Sequence, residues 1–277
     1  MNADCHIHMV LDGIDWKASI ARGIREDYIA GVLSDYQKKG YKYLRDGGDR
    51  WGVGQQAAKL APQYGIVYKT PLAPLCKKGH YGSFIGTCWE NLKEYADLVR
   101  SHRQKGADFI KIMISGLMDF DRFGVLTEPG LPPEEIRELC HIAHEEGFSV
   151  MAHCNGAETA IAAAEAGVDS IEHGAYLNEE ALQAMKEAAT VWVPTLSTVG
   201  NLLGKGRFSQ AAVEKILESA TQNVARFHRI GGLIAPGTDA GAWAVSHGCQ
   251  TEEAWLYKAG VSDAALQQGI QAIREKF

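Results

Sequence analysis

The segment Asp4-Cys5-His6-Ile7-His8 stands at the start of the chain and carries two histidines two positions apart. Because side chains alternate faces along a β-strand, His6 and His8 are expected to point the same way and could hold one metal ion. An isolated His-x-His pair is weak support for a metal site, since two histidines on a half-exposed strand are as often surface residues. Further segments of the same kind strengthen the interpretation.

Four more apolar segments contain or end on a residue that binds divalent metals. They are Phe109–Lys111, Val150–His153, Ser170–His173 and Gly237–Asp239. Apart from Lys111, which is expected within a strand, the candidate ligands fall at C-terminal strand ends, where barrel enzymes keep their chemistry. Imidazole nitrogens and carboxylate oxygens are ligands that zinc and similar cations prefer. The pattern predicts one metal site built from His6, His8, Lys111, His153, His173 and Asp239.

Working outward from these segments, apolar runs alternate with amphipathic stretches in eight cycles. Strands are predicted near 3–9, 41–46, 65–72, 108–115, 148–154, 169–173, 190–195 and 233–238. Helices are predicted near 16–38, 52–64, 89–105, 133–146, 156–166, 178–188, 209–231 and 250–275. Strand followed by helix, repeated over this length, predicts an α/β fold, a (β/α)8 TIM barrel that forms a single domain over residues 1–277.

Two long, Gly-rich connections, 73–88 and 116–131, follow predicted strands and are expected at the rim of the active site. Six cationic side chains in proposed rim loops could hold a substrate carboxylate or remain solvated: Lys77, Lys78, His80, Arg122, Lys205 and Arg207. Deeper in the barrel, Arg45 and Asp46 end the second strand and are predicted to form a buried pair.

The composition excludes several classes of partner. The chain has 277 residues, 46% of them hydrophobic, and its formal charge is −6, from 28 Lys+Arg and 34 Asp+Glu. No basic stripe is present, so nucleic acid is not an expected partner. No apolar stretch reaches the roughly eighteen residues that a membrane span needs, and the start lacks the features of a signal peptide. A cytoplasmic protein with reduced cysteines is expected.

Lys111 lies between Ile110 and Ile112, where a lone ammonium would be costly to bury. One explanation is a side chain that reaches solvent, or an ion pair inside the barrel. The favoured explanation is that the amine has a lowered pKa, reacts with carbon dioxide and becomes an anionic carbamate that bridges two metals.

Several segments match a known family. DCHIH (4–8), RDGG (45–48), GHYG (79–82), DFIKIMISG (108–116), VMAHCNGAE (150–158), AGVDSIEHGAYL (166–177), VPTL (193–196), PGTDAG (236–241) and HG (247–248) resemble the amidohydrolase superfamily, in its imidazolonepropionase-like and prolidase-like branch. The resemblance runs from residue 4 to about residue 260. It implies a barrel with one or two divalent metals that hydrolyses C–N bonds in amides, cyclic amides or dipeptides.

Carried over residue by residue, the resemblance implies that His6, His8 and Asp239 bind the more buried metal. It implies that His153 and His173 bind the more exposed one and that the Lys111 carbamate bridges the two. Asp239 would move the proton during catalysis.

The matched loop segments GHYG and HG imply roles for residues outside this ligand set. His80 would help to polarise the substrate carbonyl as a catalytic residue. His80, His247 and Arg122 are the candidates for binding the substrate.

Members of this branch usually carry a β-sandwich built from segments before the first strand and after the eighth. The sequence starts three residues before Asp4 and ends at Phe277, so both halves are expected to be absent. The barrel surface that they usually cover would then be exposed, which leaves homo-oligomer formation open.

The leading hypothesis for function is a metal-dependent hydrolase of a small, carboxylate-bearing amide, such as a dipeptide or an N-acyl amino acid. A neighbouring hypothesis keeps the same metals but has a lactone, a phosphoester or a deaminable ring as substrate. The non-enzyme alternative is a barrel that binds a metal or ligand without turnover.

Overall fold

The computed structural model describes residues 2–277, which fold as parallel strands alternating with helices. The strands are β1 (Asn2–Ile7), β2 (Tyr41–Asp46), β3 (Val67–Lys69), β4 (Leu75–Lys77), β5 (Thr87–Trp89), β6 (Ile110–Met113), β7 (Val150–Cys154), β8 (Ser170–His173) and β9 (Val191–Val193). The helices are α1 (Trp16–Arg22), α2 (Glu26–Lys38), α3 (Val53–Leu60), α4 (Leu92–Gln104), α5 (Pro133–Glu145), α6 (Ala157–Glu165), α7 (Glu179–Glu187), α8 (Ser197–Gly200), α9 (Gln210–Arg229), α10 (Thr251–Lys258) and α11 (Asp263–Lys276), with a short 3-10 helix at Ala61–Tyr64. In residues 2–277, no helix is long and apolar enough to cross a membrane.

The strands close into a barrel. One sheet has the order β1-β2-β3 and the other β5-β4-β6-β7-β8-β9, and every named pair is parallel. Residues 233–240 fill the gap between β9 and β1, because the Trp192 amide donates to Leu233 O (2.9 Å) and the Cys5 amide to Pro236 O (2.9 Å). On the other side, the Asp108 amide donates to Thr70 O (3.0 Å) and joins β3 to β6. The predicted (β/α)8 barrel is confirmed.

The third barrel strand departs from the prediction. The segment 73–88 was expected to be a loop, but it contains β4 and the first two residues of β5. The third strand of the barrel is thus made of two pieces: β3 pairs with β2, and β4 pairs with β6. Pro71 and Pro74 stand between β3 and β4. Proline has no N–H to donate to a ladder, so the strand breaks and resumes. The eighth strand, predicted near 233–238, is extended but forms only an isolated bridge from Ile234 to Trp192.

The predicted helices are present, although two are divided. The helix predicted over 16–38 is split into α1 and α2 at Gly23, whose φ of 62° lies in the left-handed region that suits glycine. The helix predicted over 250–275 is split into α10 and α11, and Ser262 caps the start of α11 by accepting from the Ala265 amide. The short helix α8 was not predicted.

The amino end of the barrel is filled with apolar side chains and leaves the carboxyl end for the site. Cys5, Phe109 and Met151 pack inside the barrel with Ile270 of α11 and with Phe277, which follows α11, so that this helix closes the amino end. In β1, Asp4 pairs with Leu44 and Ile7 with Asp46, so this stretch of β1 has one residue more than the stretch of β2 beside it. This bulge lets both Cys5 and His6 face the barrel interior.

Candidate metal centre

A cavity of about 520 Å³ opens at the carboxyl end of the barrel. Its wall includes all six residues that the sequence predicts as metal ligands: His6, His8, Lys111, His153, His173 and Asp239. Their elements explain the convergence, because β1, β6, β7, β8 and the segment 233–240 all end or pass at this opening.

Three of these residues form a compact group of ligand atoms. His6 Nε2 lies 3.4 Å from His8 Nε2 and 3.4 Å from Asp239 Oδ1, and His8 Nε2 lies 3.3 Å from the same oxygen. Two ligands bound at zinc distances in a tetrahedral site are about 3.3 Å apart. Within residues 2–277, this is the group that could hold a metal ion. The three atoms fit one face of a zinc tetrahedron, so the donor set fits a divalent metal in chemistry and in size.

Burial prepares both imidazoles to act as neutral ligands. It lowers the pKa of His6 well below its usual value, and the charge of Lys111 adds to this effect. For His8, burial and Lys111 lower the pKa to about 3. A neutral imidazole keeps the lone pair that a metal requires.

Burial has the opposite effect on the pKa of Asp239, the carboxylate of this group. Burial raises the pKa of Asp239 to about 8, although Lys111 acts against the shift, and Asp239 Oδ1 accepts no hydrogen bond. A buried carboxylate oxygen without a donor is costly, and a cation beside it would remove that cost. Asp239 also has φ 57°, and His173 has φ 70°, a backbone conformation that is uncommon for non-glycine residues.

Lys111 is buried with no hydrogen-bond partner for its ammonium nitrogen. Its side chain does not reach solvent, because the residue is 1% exposed. The nearby carboxylate of Glu172 is bonded to His6 and Arg45 instead, so no ion pair relieves Lys111. Burial lowers the pKa of the amine to about 8, and Glu172 acts against that shift. Within residues 2–277, the structure therefore shows neither a Lys111 side chain that reaches solvent nor an ion pair with Lys111 inside the barrel.

His153 and His173 lie beside the first group, with ring centroids 4.6 Å apart. The His173 ring is also 5.1 Å from that of His6. His173 Nδ1 is 2.7 Å from Thr195 Oγ1, and His153 Nε2 is 3.2 Å from Gly116 O. These contacts leave His173 Nε2 and His153 Nδ1 as the ring nitrogens without those partners.

The residue that sequence reasoning missed is Glu172. The Nδ1–H of His6 donates to Glu172 Oε2 over 2.7 Å, which leaves Nε2 of the ring for a metal. The other oxygen, Glu172 Oε1, accepts from Arg45 Nη2 (2.8 Å) and from Ser170 Oγ (2.6 Å). The predicted Arg45–Asp46 pair is therefore wrong. Both residues are buried, but Arg45 pairs with Glu172, and Asp46 accepts from the Met9 amide instead.

Three predicted site residues stand away from the cavity wall. His80 is half-exposed, with Nδ1 3.4 Å from Glu128 Oε2. Arg122 is 71% exposed and pairs with Asp119 at 2.6 Å. His247 Nε2 is 2.9 Å from Leu11 O.

None of the three belongs to the wall of this cavity. The catalytic role predicted for His80 and the substrate-binding roles predicted for His80, Arg122 and His247 therefore stay predictions.

Tyr81, the residue after His80, lines the cavity. Its ring lies 4.7 Å from the His153 ring. Burial raises the pKa of the phenol, so it remains a hydrogen-bond donor. Tyr81 belongs to the matched segment GHYG, so the sequence did contain a signal for it.

The outer part of the cavity is apolar and aromatic. A second lobe of about 670 Å³ shares residues with the first and opens past Trp16. The aromatic residues of the two lobes are Trp16, Tyr81, Phe84, Phe120, Phe208 and Trp243. Arg207, one of the predicted rim cations, lies on the wall of both lobes.

The chain is a parallel (β/α)8 barrel with a His-x-His pair at the end of its first strand and further histidines at the ends of neighbouring strands. It therefore falls in the class of (β/α)8 barrels that have a set of metal-ligating side chains at the carboxyl end. Within that class the chain belongs to the amidohydrolase family, whose family model matches residues 4–203.

Comparison with known proteins agrees with this assignment. Ochratoxinase of Aspergillus niger is 28% identical over 236 residues, which cover 78% of this chain and 46% of ochratoxinase. The chain thus spans about half the length of this relative. A crystal structure of a Xaa-Pro dipeptidase matches with a TM-score of 0.80 at 23% identity, over 99% of this chain and 75% of the other. The ochratoxinase crystal structure matches with a TM-score of 0.76 at 22% identity, over 99% of this chain and 69% of the other. These structural likenesses show a shared fold.

Proposed function

We propose that this protein is a metal-dependent amidohydrolase that cleaves a C–N bond in a small, carboxylate-bearing substrate such as a dipeptide or an N-acyl amino acid. The observation that carries the proposal is the triangle of His6 Nε2, His8 Nε2 and Asp239 Oδ1, whose sides are 3.3 to 3.4 Å. The similarity to a Xaa-Pro dipeptidase and to ochratoxinase supports the choice of reaction.

Zinc is the proposed metal, since two imidazoles and a carboxylate at this spacing suit its tetrahedral geometry. His6, His8 and Asp239 would hold one ion, and His153 and His173 a second. Bound there, a divalent ion supplies a water of lowered pKa and polarises the scissile carbonyl.

The chain's own residues move the proton and orient the substrate. Asp239 takes the proton of the attacking water and returns it to the leaving nitrogen. The Tyr81 phenol, held protonated, donates a hydrogen bond to the carbonyl oxygen as negative charge develops on it. The apolar wall excludes bulk water from this end of the cavity, which strengthens both interactions.

Lys111 is proposed to carry a carbamate. The ammonium first gives a proton to solvent, and the neutral amine then attacks the carbon of carbon dioxide. The N–C bond forms as one C=O π bond breaks, and a second proton leaves the nitrogen for solvent, so that a buried cation becomes a buried anion. The support is a buried nitrogen without a partner and a pKa of about 8, which leaves part of the amine neutral near pH 7. The carbamate oxygens would complete both metal sites.

The test begins with metal analysis of protein purified without chelator. We expect about one or two zinc ions per chain, fewer in His6→Asn, and no change in His141→Asn, which alters an exposed histidine on α5. Zinc-loaded protein with bicarbonate is then assayed on dipeptides, N-acyl amino acids, lactones and phosphoesters.

Hydrolysis of the first two substrate classes supports the proposal. Turnover confined to lactones or phosphoesters, or full metal occupancy with no turnover of any class, would contradict it.

A further inference from the structure

Arg207 lies where the inner and outer lobes of the cavity meet. Its guanidinium carbon is 4.5 Å from the centre of the Trp243 ring and 5.2 Å from that of Phe208. The two rings meet edge to face, with centroids 6.2 Å apart. Because the two rings are nearly perpendicular, the guanidinium cannot stack flat on both, but each ring attracts the cation and holds it at the cavity wall. These contacts involve aromatic rings and no acidic residue.

The charge of Arg207 sets it apart from three other rim cations, and Lys205, which also has no ion pair in the described part of the chain, does not line either lobe. Lys77 pairs with Glu135 at 2.6 Å, Lys78 pairs with Glu90, and Arg122 pairs with Asp119. Within residues 2–277, no carboxylate lies within ion-pair distance of Arg207. Arg207 is exposed, so the wall presents a cation whose donors are available, and such a fork suits a bidentate carboxylate.

The surroundings of Arg207 are apolar as well as aromatic. Leu117 lines both lobes, and Met118, Phe120 and Leu202 line the inner one.

Besides Asp239, two carboxylates line the lobes, Asp119 the inner one and Asp15 the outer one. Asp119 pairs with Arg122, and Asp15 accepts from amides at the start of α1, so Arg207 is an exposed cation on the wall that is available to a ligand carboxylate.

We infer that Arg207 is a specificity-determining residue: it binds the carboxylate of a substrate whose bulky apolar or aromatic side chain packs against Phe208 and Trp243. The inference rests on the proposed function, because it places the amino-acid end of the cleaved amide at the cavity mouth. On this inference the substrate carboxylate is bound by Arg207 rather than by Arg122, His80 or His247.

The experiment measures binding without turnover, by calorimetry on zinc-loaded protein. The probes are 3-phenylpropionate, which has a phenyl group and a carboxylate, and the neutral 3-phenyl-1-propanol. The variants are Arg207→Met and Arg207→Lys, with Arg122→Met as the matched control.

We expect Arg207→Met to weaken binding of the propionate about tenfold to a hundredfold and binding of the alcohol less than about twofold. Arg207→Lys should recover part of the loss, and Arg122→Met should bind both probes as the wild type does.

Three results would overturn the inference. One is unchanged propionate affinity in Arg207→Met, which would mean that the carboxylate binds the metal. Another is an equal loss for both probes, which would mean that Arg207 only shapes the apolar wall. The third is a wild-type protein that binds the propionate no more tightly than the alcohol. Because turnover is not needed, an Arg207-dependent affinity with no amide hydrolysis would refute the proposed function and leave this site standing.

Discussion

Replacing Glu172 by glutamine should weaken metal binding through His6. Glu172 Oε2 accepts from His6 Nδ1 over 2.7 Å, and both residues are fully buried. A carboxylate in this position fixes the tautomer of the imidazole and raises its basicity, so its removal typically costs about tenfold to a hundredfold in metal affinity. We expect that loss in Glu172→Gln, measured by competition with a chelating indicator.

The same substitution also removes the anion that faces Arg45, whose Nη2 is 2.8 Å from Glu172 Oε1. Leaving a buried cation unpaired costs about 3–5 kcal/mol of folding free energy. The double variant Arg45→Gln/Glu172→Gln removes both charges, and we expect it to regain much of that stability without regaining metal affinity.

Glu252→Gln is the matched control. Glu252 is as buried as Glu172, and its Oε2 accepts from the Ser197 amide (2.7 Å) and from Ser197 Oγ (2.9 Å). It contacts none of the proposed ligands, so its substitution should lower the unfolding temperature of metal-free protein and leave the metal affinity unchanged. Equal metal affinity in wild type, Glu172→Gln and the double variant would refute the positioning role of Glu172.

Three further predictions concern Tyr81, Lys111 and Asp169. Tyr81→Phe should lower kcat about a hundredfold with unchanged metal content, because it removes one donor to the developing oxyanion; an unchanged kcat would exclude that role. Lys111→Met should lower zinc content, and wild-type protein in ¹³C-bicarbonate should show a carbamate signal in NMR spectra that the variant lacks; identical spectra would contradict the carbamate. Burial alone would raise the pKa of Asp169, but bonds from His144, the Val150 amide and Lys276 hold it below its usual value. That stabilisation is present above the unfolded pKa of about 3.9 and is lost as the pH falls through the lower folded value. Asp169→Asn should therefore cost about 1 kcal/mol at pH 7 in denaturant titrations and progressively less below pH 4; a cost that does not change with pH would contradict this reasoning.

The sequence predicted the barrel because its signals are local and repeat along the chain. Each apolar run followed by an amphipathic stretch marks one strand and one helix, and the positions of His6, His153 and His173 at strand ends predicted where they would meet. The broken third strand was missed because Pro71 and Pro74 interrupt the apolar pattern, and the remaining pieces, β3 and β4, are too short to show a period.

The errors within the site have a different cause. The pair of Arg45 with Glu172 joins residues that are far apart in the sequence, and only the closed barrel brings them together. The sequence also could not show that Tyr81, rather than His80, lines the cavity, because the direction of a side chain in a loop depends on turn geometry. Gly82 fixes that geometry here, since a Cβ at this position would lie 2.7 Å from Met113 Cγ. Motif spacing carries no information about such packing.

The most direct test of the metal centre is the anomalous scattering of zinc in crystals grown with the metal. The account predicts a zinc peak bonded to His6 Nε2, His8 Nε2 and Asp239 Oδ1 at distances of about 2.0–2.2 Å. Fully loaded crystals with zinc bound elsewhere, and no peak at these three atoms, would contradict it.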